Sequence, residues 1–146
     1  MLAFAEQSMI DYGKIRSSLK RLVEQHQNYL YHDPTLTEIT REGIAESVIQ
    51  RFETSYDCLW KVLKRYLVEE LGIANPPNSP KPILRLAHES NVLPTPLEQW
   101  LRYADARTST SHDYDGEKAK DCLVLVPHFV EDAIELYQTM SGDTWQ

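Results

Sequence analysis

Residues 44–67, IAESVIQRFETSYDCLWKVLKRYL, decide the fold of this chain. Ile44, Val48, Phe52, Tyr56, Leu59, Leu63 and Leu67 recur every three or four positions, the spacing that lays one apolar stripe along a helix. Thr37 or Thr40 can cap its start with a hydroxyl, and Gly72 stands where a helix end takes a left-handed residue. The same period appears upstream. Ala5, Met9, Tyr12, Ile15, Leu19, Leu22 and Val23 predict a first helix from Ala5 to near Tyr31, stopped by His32-Asp33-Pro34.

Downstream, Asn75-Pro76-Pro77-Asn78-Ser79-Pro80-Lys81-Pro82 holds four prolines in eight residues and reads as a stiff, extended connection. A short helix is predicted from about Ile83 to Ser90. Pro94 or Pro96 opens the next, which carries Leu97, Trp100, Leu101 and Ala104 on one face. The last helix begins after Asp115-Gly116 and carries Ala119, Cys122, Leu123, Val126, Phe129, Val130, Ala133, Ile134 and Tyr137. Pro127 within it predicts a kink near Leu123, and the tail from Ser141 is expected to fray. No segment shows strand alternation. The expectation is an all-α protein, an antiparallel up-down four-helix bundle with one extra short helix. It forms a single domain over residues 1–146, with its core at about 5–140.

Composition narrows the function. The chain has 146 residues, a formal net charge of −7 and 25% charged residues. A protein that coats long nucleic acid by neutralising phosphates would be basic, so general DNA binding is excluded and any RNA contact must be local. The cations cluster as Lys14, Arg16, Lys20 and Arg21 on the first helix, and Lys61, Lys64 and Arg65 on the second. The bland reading of both clusters is a solvated helix face. No apolar run nears the roughly 20 residues a membrane span needs. The start, MLAFAEQSMIDYGK, lacks a basic region ahead of an apolar core, which argues against a secretory signal. Cys58 and Cys122 lie in apolar helical patterns without a Cys or His at metal spacing. They read as reduced, buried packing residues of a cytoplasmic protein that binds neither metal nor cofactor.

The chemistry-bearing stretch is Arg107-Thr108-Ser109-Thr110-Ser111-His112-Asp113-Tyr114. Arg keeps its charge and can fork onto phosphate, whereas His takes and returns protons near neutrality. Arg107 continues the stripe Leu97, Trp100, Ala104, so it points toward the packed side. There it must meet a carboxylate, a carbonyl, an anion or a wet interface. His112 lies about 140° further round an intact helix. The pair can share a site only if the helix breaks in the poor helix formers between them, or if two chains contribute. The alternative is structural, since Arg and His near a helix C-terminus also stabilise its dipole. Trp60 and Trp100 read as core anchors, and His26, His32, His88 and His128 as incidental.

Residues 49–67 resemble the signature of the nucleotidyltransferase substrate-binding proteins of the HEPN superfamily, and Arg107, His112 and Tyr114 resemble that superfamily's Arg-x4-His-x-Tyr element. The similarity extends over roughly residues 5–140. Many members carry Asn after the Arg, where this chain has Thr108. The resemblance implies a toxin-type, metal-independent endoribonuclease. It would work as a homodimer, with Arg107 and His112 catalytic, and a cognate minimal nucleotidyltransferase would neutralise it. It further implies that Tyr114 is an acceptor for AMP added by that partner. A second class is a non-catalytic subunit presenting substrate to the nucleotidyltransferase, with Gln50, Glu53, Asp57, Lys61 and Lys64 lining a polar groove. A third is a dimeric scaffold without activity. The chain itself shows no Gly-Ser followed by Asp-x-Asp, so any nucleotidyl transfer belongs to the partner.

Overall fold

The computed structural model of the chain describes residues 9–110 and 116–146. Among them the regular elements are all helices: α1 Gly13–Tyr31, α2 Glu38–Glu69, α3 Pro80–Glu89, α4 Leu97–Thr110 and α5 Gly116–Ser141. The all-α expectation, four long helices and a short one, is met. α2 packs on all four others, and α1 touches α2 and α5 only. The ring order around the core is therefore α1, α2, α4, α5, with α3 laid across α2 and α4.

Side-chain contacts fix the directions. Arg51 Nη1 donates to the Arg21 carbonyl at 2.8 Å, while Lys14 lines a groove with Lys61, so α1 and α2 run antiparallel. Thr110 and Arg107 meet Glu53 and Asp57 in reversed order, so α2 and α4 do too. The Tyr12 hydroxyl donates to the Met140 carbonyl at 3.2 Å, setting the start of α1 beside the end of α5.

The stripe of α2 is buried from Val48 on: Val48, Phe52, Tyr56, Leu59, Leu63 and Leu67 are all at most 2% exposed, whereas Ile44 is half-buried. Phe129 of α5 meets Phe52 edge-on, with centroids 5.0 Å apart, and Tyr103 of α4 likewise at 5.3 Å. Trp100 stands edge-on to Tyr103 at 5.5 Å. This is the geometry the ring quadrupoles favour, and it ties three helices through one aromatic centre. Trp60 is only partly buried. Buried Tyr103 receives a hydrogen bond from Gln99 Nε2 at 2.9 Å and donates to the Asp132 carboxylate.

Thr37 is the cap of α2, its hydroxyl accepting from the Thr40 amide at 3.3 Å. Gly72, with φ of 70°, ends the α2 turn as the sequence implied. Three boundaries differ from the sequence reading. Met9 and Tyr12, expected in the first helix, precede its start at Gly13, and Ala5 lies outside the described residues; Met9 is 81% exposed, and Asp11 Oδ1 takes the Gly13 amide at 2.8 Å in a local turn that competes with helix. The short helix starts at Pro80, because a first turn has no partners for the amides that Pro80 and Pro82 lack. Pro127 sits inside α5, where the sequence reading placed it. The tail beyond Ser141 is not loose: the Trp145 amide donates to Gln138 Oε1 at 2.8 Å, and its ring packs edge-on against Tyr137.

Candidate active site

Arg107 lies on the last turn of α4, on the side facing α2. Its Nε donates to Asp57 Oδ1 at 3.1 Å and its Nη2 to Asp57 Oδ2 at 3.0 Å. Nη1 reaches Glu53 Oε2 at 3.4 Å. Glu53 and Asp57 are one turn apart on α2, so a single guanidinium spans both carboxylates. The Arg107 side chain remains 29% exposed, against 11% for Glu53 and 39% for Asp57. Of the partners open to an inward Arg107, the structure supplies carboxylates, two of them.

Thr110 closes the arrangement from behind. It is fully buried, and its hydroxyl lies 2.8 Å from Glu53 Oε2 and 3.0 Å from the Ala106 carbonyl. With a single proton to give, the hydroxyl favours the charged acceptor. The sequence reading allows a helix break in this run of hydroxyl residues. The helix α4 runs through Thr108, Ser109 and Thr110, with the Thr108 hydroxyl donating to the Ala104 carbonyl at 3.2 Å; Ser111, the last of the run, lies outside the described residues. His112 and Tyr114 lie outside the described residues.

A cleft of about 510 Å³ opens beside Arg107, between α2, α3 and α4. Tyr56, Asp57, Ser79, Lys81 and Thr108 line it. Lys81 pairs with Asp105 at 2.6 Å on the surface. The Tyr56 hydroxyl is buried and has no hydrogen-bond partner among the described residues. Burial raises its pKa, helped by the Asp57 and Asp105 charges and opposed by Arg107, so the phenol stays protonated. Burial and then the Glu53 charge push the Cys122 thiol up to about 12.

The polar row expected along α2 does not line one groove. Gln50 faces α1, Glu53 is buried under Arg107, and Lys64 Nζ donates to Asn78 Oδ1 at 3.0 Å. Thr110 was missed by sequence reasoning, since a Thr in a hydroxyl-rich helix end carries no mark of burial. Among the described residues no group of three His, Cys, Asp or Glu is placed to hold a metal ion, and no helix is long and apolar enough to cross a membrane.

Comparison with known proteins adds three findings. The profile of the family described as nucleotidyltransferase substrate binding protein like matches residues 7–142. The chain is 29% identical over 117 residues, 77% of each protein, to the probable ribonuclease HepT of Haemophilus influenzae. A crystal structure of a Thermus thermophilus protein is similar, with a TM-score of 0.63 and 27% identity over 86% of this chain and 96% of that one.

Proposed function

The chain belongs to the nucleotidyltransferase substrate-binding-protein-like family, and from that premise we propose that it is a metal-independent endoribonuclease held in check by a partner nucleotidyltransferase. The observation that carries the reading is Arg107 itself. An arginine gripped by Asp57 and Glu53 on a rigid helix is oriented before any ligand arrives, and it borders an open cleft. Preorganised donors are what charge development in a transition state requires. The probable ribonuclease among the similar proteins supports the same direction.

In the proposed reaction a His112 imidazole removes the proton of an RNA 2′-hydroxyl, whose oxygen attacks the adjacent phosphorus. The bond from phosphorus to the 5′-oxygen breaks, and a second His112, from the other chain of a twofold dimer, protonates the leaving oxygen. A cyclic 2′,3′-phosphate and a 5′-hydroxyl result. Arg107 stabilises the extra negative charge on the five-coordinate phosphorus, an effect worth roughly 3 kcal/mol for one such donor. AMP placed on Tyr114 by the partner would add negative charge where RNA phosphate enters.

One observation favours a second reading, a non-catalytic subunit that presents substrate to the nucleotidyltransferase. Two carboxylates face one guanidinium, so Arg107 is already compensated. Incubating the protein with total RNA in chelator separates the two. Cleavage that His112→Ala and Arg107→Ala abolish supports the ribonuclease. Intact RNA together with tight binding of the nucleotidyltransferase supports the presenting subunit.

A further inference from the structure

Lys14 and Arg21 of α1 share the seam between the two helices with Arg51, Lys61 and Arg65 of α2. A groove of about 340 Å³ between the helices is lined by Arg21, Arg51 and Thr54, and one of about 470 Å³ by Lys14, Thr54, Lys61 and Arg65. Thr54 borders both, so they form one trough. The second groove also reaches Asp57, the residue that holds Arg107. Five cations line the trough against two carboxylates, Asp11 and Asp57, in a chain whose net charge is −7. Asp11 is engaged by the Gly13 amide and Asp57 by Arg107. Lys14, Arg21, Arg51 and Lys61 have no carboxylate partner among the described residues.

We propose that this trough is the track for a single-stranded RNA backbone, leading the strand to Arg107. The inference rests on the ribonuclease reading for its choice of RNA. The trough itself argues for the strand form. Packed helices lie roughly 8–10 Å apart, too close for a duplex to seat between them. From Ser47 to Arg65 α2 rises roughly 27 Å, enough for a short strand. Ser18, Ser47 and Thr54 interleave hydroxyls among the cations, and among the described residues no aromatic ring lines the trough. Such a lining grips phosphates and sugars and leaves the bases unread, so binding is tolerant of sequence.

The test is fluorescence anisotropy with a labelled oligouridylate of about 12 nucleotides, within the usual range of single-strand sites. Full-length protein is compared with Lys14→Glu/Arg51→Glu across a salt series, with circular dichroism confirming an unchanged fold. The double variant is expected to bind at least about tenfold more weakly. Its plot of log affinity against log salt should be shallower by about 1.4, since each phosphate contact contributes about 0.7 for a single strand. Equal affinity and slope for both proteins, or no binding by the parent at low salt, overturns the track. Loss of nucleotidyltransferase binding with RNA binding retained overturns it in favour of a protein partner. Trough-dependent binding without cleavage leaves the track standing and overturns the ribonuclease reading instead.

Discussion

Arg107 and Asp57 meet fork to fork, two nearly equal hydrogen bonds of 3.1 and 3.0 Å joining the end of α4 to the middle of α2. This contact sets the direction of the guanidinium and so of everything proposed for it. Asp57 is 39% exposed, and solvent screens the pair, so its contribution to stability is modest, about 1 kcal/mol. Its contribution to orientation is larger. Asp57→Asn is expected to lower the urea midpoint slightly and to lower RNA cleavage by at least about tenfold, because a small misplacement of a positioned group is costly. Arg107→Lys should do no better, since an ammonium cannot form the fork. Unchanged cleavage in Asp57→Asn would show that the fork positions nothing of consequence.

Thr110→Val keeps the shape of a fully buried side chain and deletes its hydroxyl. Glu53, 9% exposed, then loses its 2.8 Å donor with little water to replace it. The expected cost is about 1–3 kcal/mol, seen as a lower urea midpoint with an unchanged slope. A Glu53→Gln background should shrink that cost, because a neutral amide needs the donor less. Equal costs in both backgrounds would break the proposed coupling.

The cysteines should separate in reactivity. Cys122 is 1% exposed with its thiol pushed up to about 12, whereas Cys58 is partly exposed with a thiol raised by burial and partly offset by Lys14. A thiol reagent at mildly alkaline pH should modify Cys58 slowly in the folded protein and reach Cys122 only on opening of the bundle. Mass spectrometry of peptides after timed quenching reads both. Rapid modification of Cys122 in native protein would contradict its place in the core.

His26 should contribute a measurable pH dependence. Burial holds its imidazole below the ordinary 6.5, so on acidification the unfolded chain takes the proton first. Its contribution to stability is therefore intact above 6.5, lost as pH falls from there through the lowered folded value, and constant below that. His26→Gln removes this component. The stability difference between parent and variant should shift against the parent between neutrality and about pH 5. A difference that stays level across that range would mean the imidazole titrates alike in both states.

Much of the fold was legible because a long apolar period leaves few choices. Val48, Phe52, Tyr56, Leu59, Leu63 and Leu67 could be buried together only on one side of one helix, and they are. Boundaries were less legible where local side chains compete with the helix. Asp11 takes the Gly13 amide just ahead of α1. Trp145 could not be placed at all from the tail's composition, since its partners Tyr137 and Gln138 belong to the preceding helix face.

The amino-acid order by itself determined that the chain is helical, that Arg107 must turn inward, and that an inward guanidinium needs a polar partner. Those follow from the 3.6-residue period and the cost of burying unpaired charge, both local properties. The identity of that partner was decided only when α4 docked on α2, roughly fifty residues away in sequence, and set Asp57 and Glu53 under it. The joining of Lys14 with Lys61, and of Arg21 with Arg51, into one trough likewise required α1 and α2 to pack antiparallel. Charge clusters on separate helices become a site only when packing brings their faces within reach, and no single helix carries that information.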